Sequence, residues 1–590
     1  MNGAHTIVKT LIKEGVTVTF GFPGGSVIPL FDAYLDYKGK LKNILVRHEQ
    51  GAAHAAEGYA RASGKPGVCI STSGPGATNL VTGIMDAYMD STPIIALGGQ
   101  VPTSLIGNDA FQESDMMGIT LPITKHNFQV RTPNQMASTI MKSFKIASEG
   151  RPGPVYVDLP KDTQVGEVTE PIPEEVSIAG FQPTLTPNPL QVKKAAEAIV
   201  NSKKPLLLVG QGVIISGASK ELHELVEIAQ IPVTTTYMAK GAFDEYHDLS
   251  LGSIGMHGRK IANYATIHSD LLISLGCRFS DRITGNLKTY AENAKVIHAD
   301  VDPAEIGKNV KVDIPIVGDA KNIISALVAE LKNLLLKSKI SKGLEKQEAF
   351  QNKPKPKEQW VKKIKEFKAS CDKCVKVPKT ARMHPRDVMY ALNGILKPED
   401  IVVTGVGQHQ MFAGHFLKMR KPRTFITSGG AGTMGYGFPA AIGAKVAKPD
   451  SNVFLIDGDG SFQMTLQELA TVKEAGIKVI ILIMNNSWLG MVRQWLELFF
   501  DKRYSEVHLG DVPDFVKIAE AYNLKGIKVK KKEDLDKAIK QAISNKETTI
   551  VDILIDKESN ILPMLPPGGH IKDAFGGCMA GQGKFFEGDL

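Results

Sequence analysis

The chain has 590 residues, too many for one hydrophobic core, and predicts three to four domains at roughly 150 residues each. Its 43% hydrophobic and 22% charged residues are those of an ordinary globular protein and exclude a disordered or fibrous chain. Net charge is +8, and much of the excess lies in 332–379, which reads as a solvated linker rather than a nucleic-acid patch.

Residues 1–15 predict an amphipathic helix, with Ile7, Val8, Leu11 and Ile12 on one face. They hold no signal core or transit segment, and the longest apolar runs, such as 479–484, are too short to span a membrane. Five cysteines (Cys69, Cys277, Cys371, Cys374 and Cys578) are an odd, scattered set that gives no disulfide framework. Cys371 and Cys374 form a CxxC with no second pair to complete a zinc site, so we read it as incidental. These features predict a soluble cytoplasmic protein that begins directly with its fold.

Short Val/Ile/Leu-rich runs then alternate with helix-like stretches, the mark of parallel strands buried on both faces. They fall in three groups: 16–22, 43–46, 67–71, 93–97 and 154–158; then 205–209, 232–237, 270–275, 295–299 and 314–317; then 400–404, 424–427, 452–456, 478–484 and 549–555. The fold class predicted is α/β, with three doubly wound parallel-sheet domains. The expected divisions are an N-terminal domain 1–166, a proline-bearing linker 167–189 and a central domain 190–335. A Lys-rich linker 336–378, a C-terminal domain 379–560 and a tail 561–590 follow.

The third group carries the sharpest motif. One strand ends in Gly458-Asp459-Gly460, and 24 residues later (461–484) a second ends in Asn485-Asn486. Ligands of open α/β sheets bind at such strand ends. Asp459 and Asn486 offer hard oxygen ligands, and the Trp488 backbone carbonyl a third. Two diphosphate oxygens and a water then complete an octahedron for Mg²⁺. The glycines let the backbone approach a diphosphate, and the helix that follows turns its amides toward it. This GDG…NN pattern resembles that of thiamine-diphosphate enzymes. Gly430-Ala-Gly432-Thr-Met-Gly435 also matches GxGxxG, the weaker signal of a nucleotide loop.

Thiamine diphosphate needs a carboxylate on N1′ of its aminopyrimidine, which favours the imino tautomer that takes the C2 proton. Glu49, in Arg47-His-Glu-Gln-Gly-Ala-Ala53, is the candidate, between a strand end and a small-residue helix. On position alone it reads as an ordinary helix-start acid. The resemblance to the family's RHEQGAA segment selects the catalytic role. Ser73-Gly-Pro-Gly-Ala-Thr-Asn79 resembles the family's turn near the cofactor.

Within the thiamine enzymes the chain resembles the acetolactate synthase catalytic subunits over nearly its whole length. The narrowing blocks are Phe20-Gly-Phe-Pro-Gly-Gly25, Gly99-Gln-Val-Pro102, Asp109-Ala-Phe-Gln-Glu113, Arg151-Pro-Gly-Pro154, Gly255-Met-His-Gly258, Arg278-Phe-Ser-Asp-Arg-Ile-Thr-Gly285 and Asn485-Asn-Ser-Trp-Leu-Gly-Met-Val492. The resemblance implies thiamine-diphosphate contacts at Gly407, Gln408, His409, Gly432, Thr433, Met434, Gly460 and Ser461, with Met434 wedging the cofactor into a bent shape. It implies an FAD without net redox chemistry, held by Arg151, Gly210, Gln211, Gly212, Thr236, Tyr237, Met256, His257, Gly276, Arg278, Asp300 and Asp319. It implies pyruvate as donor and pyruvate or 2-ketobutyrate as acceptor, with Arg282 on the acceptor carboxylate and Trp495 on its alkyl group. Phe111, Gln112 and Lys161 would line the access channel. A homodimer or tetramer with sites between subunits, and a separate regulatory small subunit, are also implied. Trp488 departs from the His or other polar residue common there, but only its backbone carbonyl is needed, so metal binding should survive. The alternatives are a sister thiamine enzyme such as pyruvate oxidase, or a non-catalytic nucleotide-binding protein on the same fold.

Overall fold

The computed structural model describes residues 1–344, 356–373, 382–566 and 568–576. Its eighteen strands form three six-stranded sheets, all parallel. The first sheet holds β1 (Val18–Gly21), β2 (Lys42–Leu45), β3 (Gly67–Ser71), β4 (Ile94–Gln100), β5 (His126–Gln129) and β6 (Val155–Pro160), ordered β2-β1-β3-β4-β6-β5. The second holds β7 (Pro205–Val209), β8 (Val233–Thr235), β9 (Ser250–Ser253), β10 (Leu271–Leu275), β11 (Lys295–Asp300) and β12 (Ile314–Val317), ordered β12-β11-β10-β7-β8-β9. The third holds β13 (Ile401–Thr404), β14 (Phe425–Ile426), β15 (Val453–Gly458), β16 (Ile480–Asn485), β17 (Lys525–Val529) and β18 (Thr549–Leu554), ordered β14-β13-β15-β16-β18-β17.

Each order has a central reversal, between β1 and β3, between β7 and β10, and between β13 and β15, and the first and third sheets turn back once more at the edge, at β6-β5 and β18-β17. The central reversals open crevices at the strand C-termini, where doubly wound sheets bind ligands. All fifteen expected runs are strands. The three unforeseen ones, β5, β9 and β17, each lie at a sheet edge.

The first and third domains share one core, in which Phe20, Ala53 and Ile84 pack with Phe438, Leu455 and Phe462. Helix Glu49–Ser63 lies on helix Gly437–Ala447 so closely that Gly58 has no room for a Cβ against the Ala440 backbone. Small residues on both helices permit that approach, and it brings the start of the first helix against the third domain.

The Lys-rich 336–378 segment is a correction. Helix Ala320–Leu344 continues into it, and a second helix spans Pro356–Lys373. Trp360, Ile364 and Cys371 of that helix are buried in the central core, and Trp360 Nε1 donates to the Pro205 carbonyl at 3.1 Å. Their one-sided spacing is an amphipathic stripe that the lysine composition masks. Residues 345–355 and 374–381, with Cys374 of the CxxC, lie outside the described residues, as do Cys578 and the tail beyond 576. The described part of the tail crosses to the central domain, where Leu565 N–H donates to the Met256 carbonyl and Asn286 N–H to that of Gly569. No helix among the described residues is long and apolar enough to cross a membrane.

Candidate functional site

The tips of four neighbouring strands converge at the reversal in the third sheet. β15 and β16 run in register, Gly458 opposite Met484, so Asp459 and Asn486 emerge side by side. The backbone amides of Asp459 itself and of Asn486 lie close enough to the Asp459 carboxylate to favour its charged form. Burial pushes its carboxyl up to about 7, and the nearby Asp552 adds to the rise. A buried carboxylate among amides and beside a second acid gains from a divalent cation, whose charge offsets the desolvation that raises the pKa. Asn486 Oδ1 accepts from Trp488 N–H at 3.0 Å, and Ser487 adopts φ 60°, which folds the backbone back at this turn. Leu489 N–H bonds the Val507 carbonyl and Leu509 N–H that of Ser487, pinning the turn from outside.

β13 delivers Gly407, Gln408 and His409 to the same crevice. His409 Nε2 lies 3.3 Å from Asp457 Oδ1, and a Cβ on Gly458 would stand 2.8 Å from His409 Nδ1. The glycine therefore lets the two strand tips close on each other. Gln408 Nε2 donates to Gln494 Oε1 at 2.8 Å, tying the crevice to helix Gly490–Phe499. β14 leads to Gly432, Thr433 and Met434. Thr433 Oγ1 donates to Asp86 of the first domain at 3.0 Å. Gly435 N–H donates to Ser461 Oγ at 3.1 Å, so the Met434 loop and the Gly460–Ser461 turn are fixed to each other.

A cavity of about 730 Å³ runs from this crevice into the central domain. Gly407, Gly432, Met434, Trp495 and Arg282 line its C-terminal end. Arg151, Gly210, Gln211, Gly212, Thr236, Tyr237, Met256, His257, Gly276, Arg278, Asp300 and Asp319 line the rest. The volume is that of a cofactor-sized pocket. The glycines after β7 and β10 cross at the central reversal, where a Cβ on Gly212 would lie 2.8 Å from Gly276 Cα. Arg151 Nη1 pairs with Glu305 at 2.8 Å and Asp302 at 3.2 Å. Burial lowers His257 to about 4 and His415 to about 3, so both are neutral at pH 7. His415 Nδ1 then donates to the His257 carbonyl at 3.0 Å, which fixes that loop against the cavity. Burial raises Asp300 to about 6. Arg282 is largely exposed and pairs with Asp281 at 3.1 Å.

Residues the sequence reading did not single out also face this cavity. Met491 stands one helical turn before Trp495, and Val406, Gln410 and Met411 flank Gly407. Helical spacing from Trp495 was the available signal for Met491.

Glu49 does not line the cavity. It opens helix Glu49–Ser63, is 8% exposed, and accepts from Asn79 Nδ2 at 2.9 Å. A Cβ on Gly76 would lie 3.0 Å from its Oε1, and one on Gly74 would lie 3.0 Å from Gln112 Cα. Glu49, the Ser73–Asn79 turn and Gln112 thus form a second cluster. Phe111, beside it in sequence, is 88% exposed, and Lys161 is exposed at the start of helix Lys161–Val165.

Three domain families match the chain in order: the N-terminal TPP binding domain of thiamine pyrophosphate enzymes at residues 1–119, their central domain at 192–327, and their C-terminal TPP binding domain at 405–553. A probable acetolactate synthase large subunit of Methanocaldococcus jannaschii is 52% identical over 584 residues, covering 97% of this chain and 94% of that protein. A probable acetolactate synthase large subunit of Methanococcus aeolicus is 49% identical over 97% of the chain and 94% of its own length. The acetolactate synthase of Mycobacterium bovis is 46% identical over 96% and 90%. With these three domain matches and this likeness along nearly its full length, the chain belongs to the thiamine pyrophosphate enzymes, among the acetolactate synthase large subunits.

Proposed function

We propose that this chain is the catalytic subunit of an acetolactate synthase. It joins the two-carbon unit of decarboxylated pyruvate to a second 2-keto acid, giving 2-acetolactate from pyruvate or 2-aceto-2-hydroxybutyrate from 2-ketobutyrate. The observation that carries the reading is the single cavity in which Gly407 and Met434 of the crevice meet Trp495, Arg282 and the central-domain loops.

Bound thiamine diphosphate supplies the nucleophilic carbon that the side chains themselves lack. Asp459, Asn486 and the Trp488 carbonyl would hold the Mg²⁺ that carries its diphosphate, and the buried, raised Asp459 carboxyl fits a cation ligand. Gly407, Gln408, His409, Gly432, Thr433, Gly460 and Ser461 would surround it, with Met434 as the apolar wedge. Glu49 would hold a proton at N1′ of the pyrimidine. Arg282 would bind the acceptor carboxylate as a guanidinium fork, and Trp495 would contact its alkyl group. Arg151 of the first domain and the eleven central-domain residues lining the cavity suit an FAD that keeps that space filled. Phe111, Gln112 and Lys161 would reach the site from the rim of a second copy.

Because the Glu49 cluster and the cavity have no lining residue in common in one chain, the reading includes a homodimer or tetramer that brings Glu49 of one copy to the cavity of another. A separate small regulatory subunit is part of the same reading. The test is product identification from pyruvate plus 2-ketobutyrate with thiamine diphosphate, Mg²⁺ and FAD. Both acetohydroxy acids are expected; acetate or acetyl phosphate as the main product overturns the proposal.

A further inference from the structure

A buried carboxylate of the C-terminal domain grips the backbone just ahead of Glu49. Glu468 ends the short turn Leu466–Glu468, which follows the Asp459–Gln463 helix, and is fully buried. Its Oε1 accepts from Arg47 N–H at 3.0 Å and His48 N–H at 3.1 Å. Its Oε2 accepts from Arg47 N–H at 3.1 Å and from the Thr471 hydroxyl at 2.6 Å. Gly51 makes room for it, since a Cβ there would stand 2.5 Å from Oε1.

These contacts are specific in place. His48 is the N-cap of helix Glu49–Ser63 and Glu49 its first residue. Helix starts leave backbone N–H groups without intrahelical partners, and water ordinarily takes them. Here two amides immediately before the helix are bound by an acceptor rooted in another domain. The Thr471 hydroxyl also lies 3.2 Å from the Leu45 carbonyl, so the end of β2 is held as well. The Glu49 side chain itself has one hydrogen-bond partner among the described residues, Asn79 Nδ2 at 2.9 Å.

We propose that Glu468 is a positioning residue for Glu49. By fixing the Arg47 and His48 amides it sets where the first turn begins, and so where the Glu49 carboxylate stands. Catalytic groups lose activity when displaced by about 1 Å, so the anchor governs proton transfer without touching the cofactor. Since Glu468 follows the Asp459 turn by a few residues, it also ties the metal crevice of one chain to the acid that chain presents. The inference rests on the reading of Glu49 given above.

The test compares Glu468→Ala, Glu468→Gln and Glu49→Gln. In the apoprotein, Glu468→Ala is expected to speed amide hydrogen exchange across residues 46–53 at least about tenfold, because two amides lose their acceptor. In the holoenzyme, C2 deuteration of bound thiamine diphosphate slows at least about tenfold, while cofactor affinity stays within about twofold. Glu468→Gln keeps an acceptor oxygen for the two amides and recovers most of the C2 rate. Native C2 deuteration in Glu468→Ala, whatever its Tm, overturns the inference, as does a glutamine variant no better than alanine. If the alanine variant does not fold, Glu468→Asp withdraws the carboxylate by one carbon and is judged on the same readings. Native C2 deuteration in Glu49→Gln instead brings down the role of Glu49 itself; a slow Glu49→Gln beside a native Glu468→Ala brings down the positioning role alone.

Discussion

The strand tips of the C-terminal sheet and the loops around Glu49 reach different degrees of enclosure. At the tips Asp459, His409, Ser461 and Asn486 are all buried, and the adjoining cavity is walled by the central domain. Around Glu49 the glycine turn and Gln112 are gathered, yet the adjoining Phe111 ring stands 88% exposed. Leaving a phenylalanine in water forfeits roughly 1.5–3 kcal/mol relative to burial. The crevice is enclosed by intrachain packing, and the Glu49 loops are shaped but uncovered. The contrast teaches that positioning an acid and enclosing a crevice are separate tasks in this fold.

That contrast breaks if Glu49 is dispensable. Glu49→Gln preserves shape and removes the proton-holding carboxylate, so CO₂ release from pyruvate should fall by about 10²–10⁴-fold with cofactor still bound. Equilibrium dialysis against thiamine diphosphate checks the second half. Asp459→Ala acts on the enclosed half: cofactor affinity in a Mg²⁺ titration should weaken at least about tenfold, and added metal should restore little. Mixing the two variants sharpens the comparison. If each site draws Glu49 and Asp459 from different copies, random reassociation leaves one intact site in half of the dimers. Activity then returns to about a quarter of native. No recovery after verified subunit exchange would place both groups in one chain.

What was legible in the sequence follows from burial. Strands enclosed on both faces, such as β15 and β16, are continuous apolar runs, and their polar tips announce the crevice. β5, β9 and β17 read His-Asn-Phe-Gln, Ser-Leu-Gly-Ser and Lys-Gly-Ile-Lys-Val. As edge strands they pair on one side only, so the apolar run weakens. The helix Pro356–Lys373 was hidden because its buried stripe of Trp360, Ile364 and Cys371 is diluted by lysines on the other faces. Glu468 was illegible for another reason. Its partners are backbone amides 420 and 421 positions away, and no local pattern encodes them. Arg151 and the eleven central-domain residues around the cavity came from family resemblance; their glycines alone read as ordinary turns.

A smaller effect is expected at the cavity wall. Trp495 packs at a tilt against Phe499, with ring centroids 5.3 Å apart and planes 54° to each other, and faces the same cavity as Met434. If it contacts the extra methyl of 2-ketobutyrate, Trp495→Leu loses about 1–3 kcal/mol of discrimination. In a competition assay the ratio of the two acetohydroxy acids should shift about tenfold or more toward 2-acetolactate. An unchanged ratio would confine Trp495 to packing.

The smallest effect lies behind Glu49, on the helix it begins. Glu57 is fully buried beside Asp86 and Asp90, and burial, reinforced by Asp90, pushes its carboxyl up to about 8, with Arg61 opposing. The folded chain therefore keeps a proton on Glu57 between about pH 4.5 and 8, where the unfolded chain releases it. The unfolded state binds fewer protons across that window, so this group's contribution to stability declines as pH rises. Glu57→Gln retains a donor for the neighbouring carboxylates and no longer titrates. Its Tm should fall less than the native Tm between pH 5 and pH 8. The difference expected is about 1.4 kcal/mol or more, roughly 1 °C or more for a chain of this size. Parallel Tm curves for the two proteins would mean that Glu57 is already ionised in the fold, held by Arg61, and that the helix carrying Glu49 rests on an ion pair rather than on a shared proton.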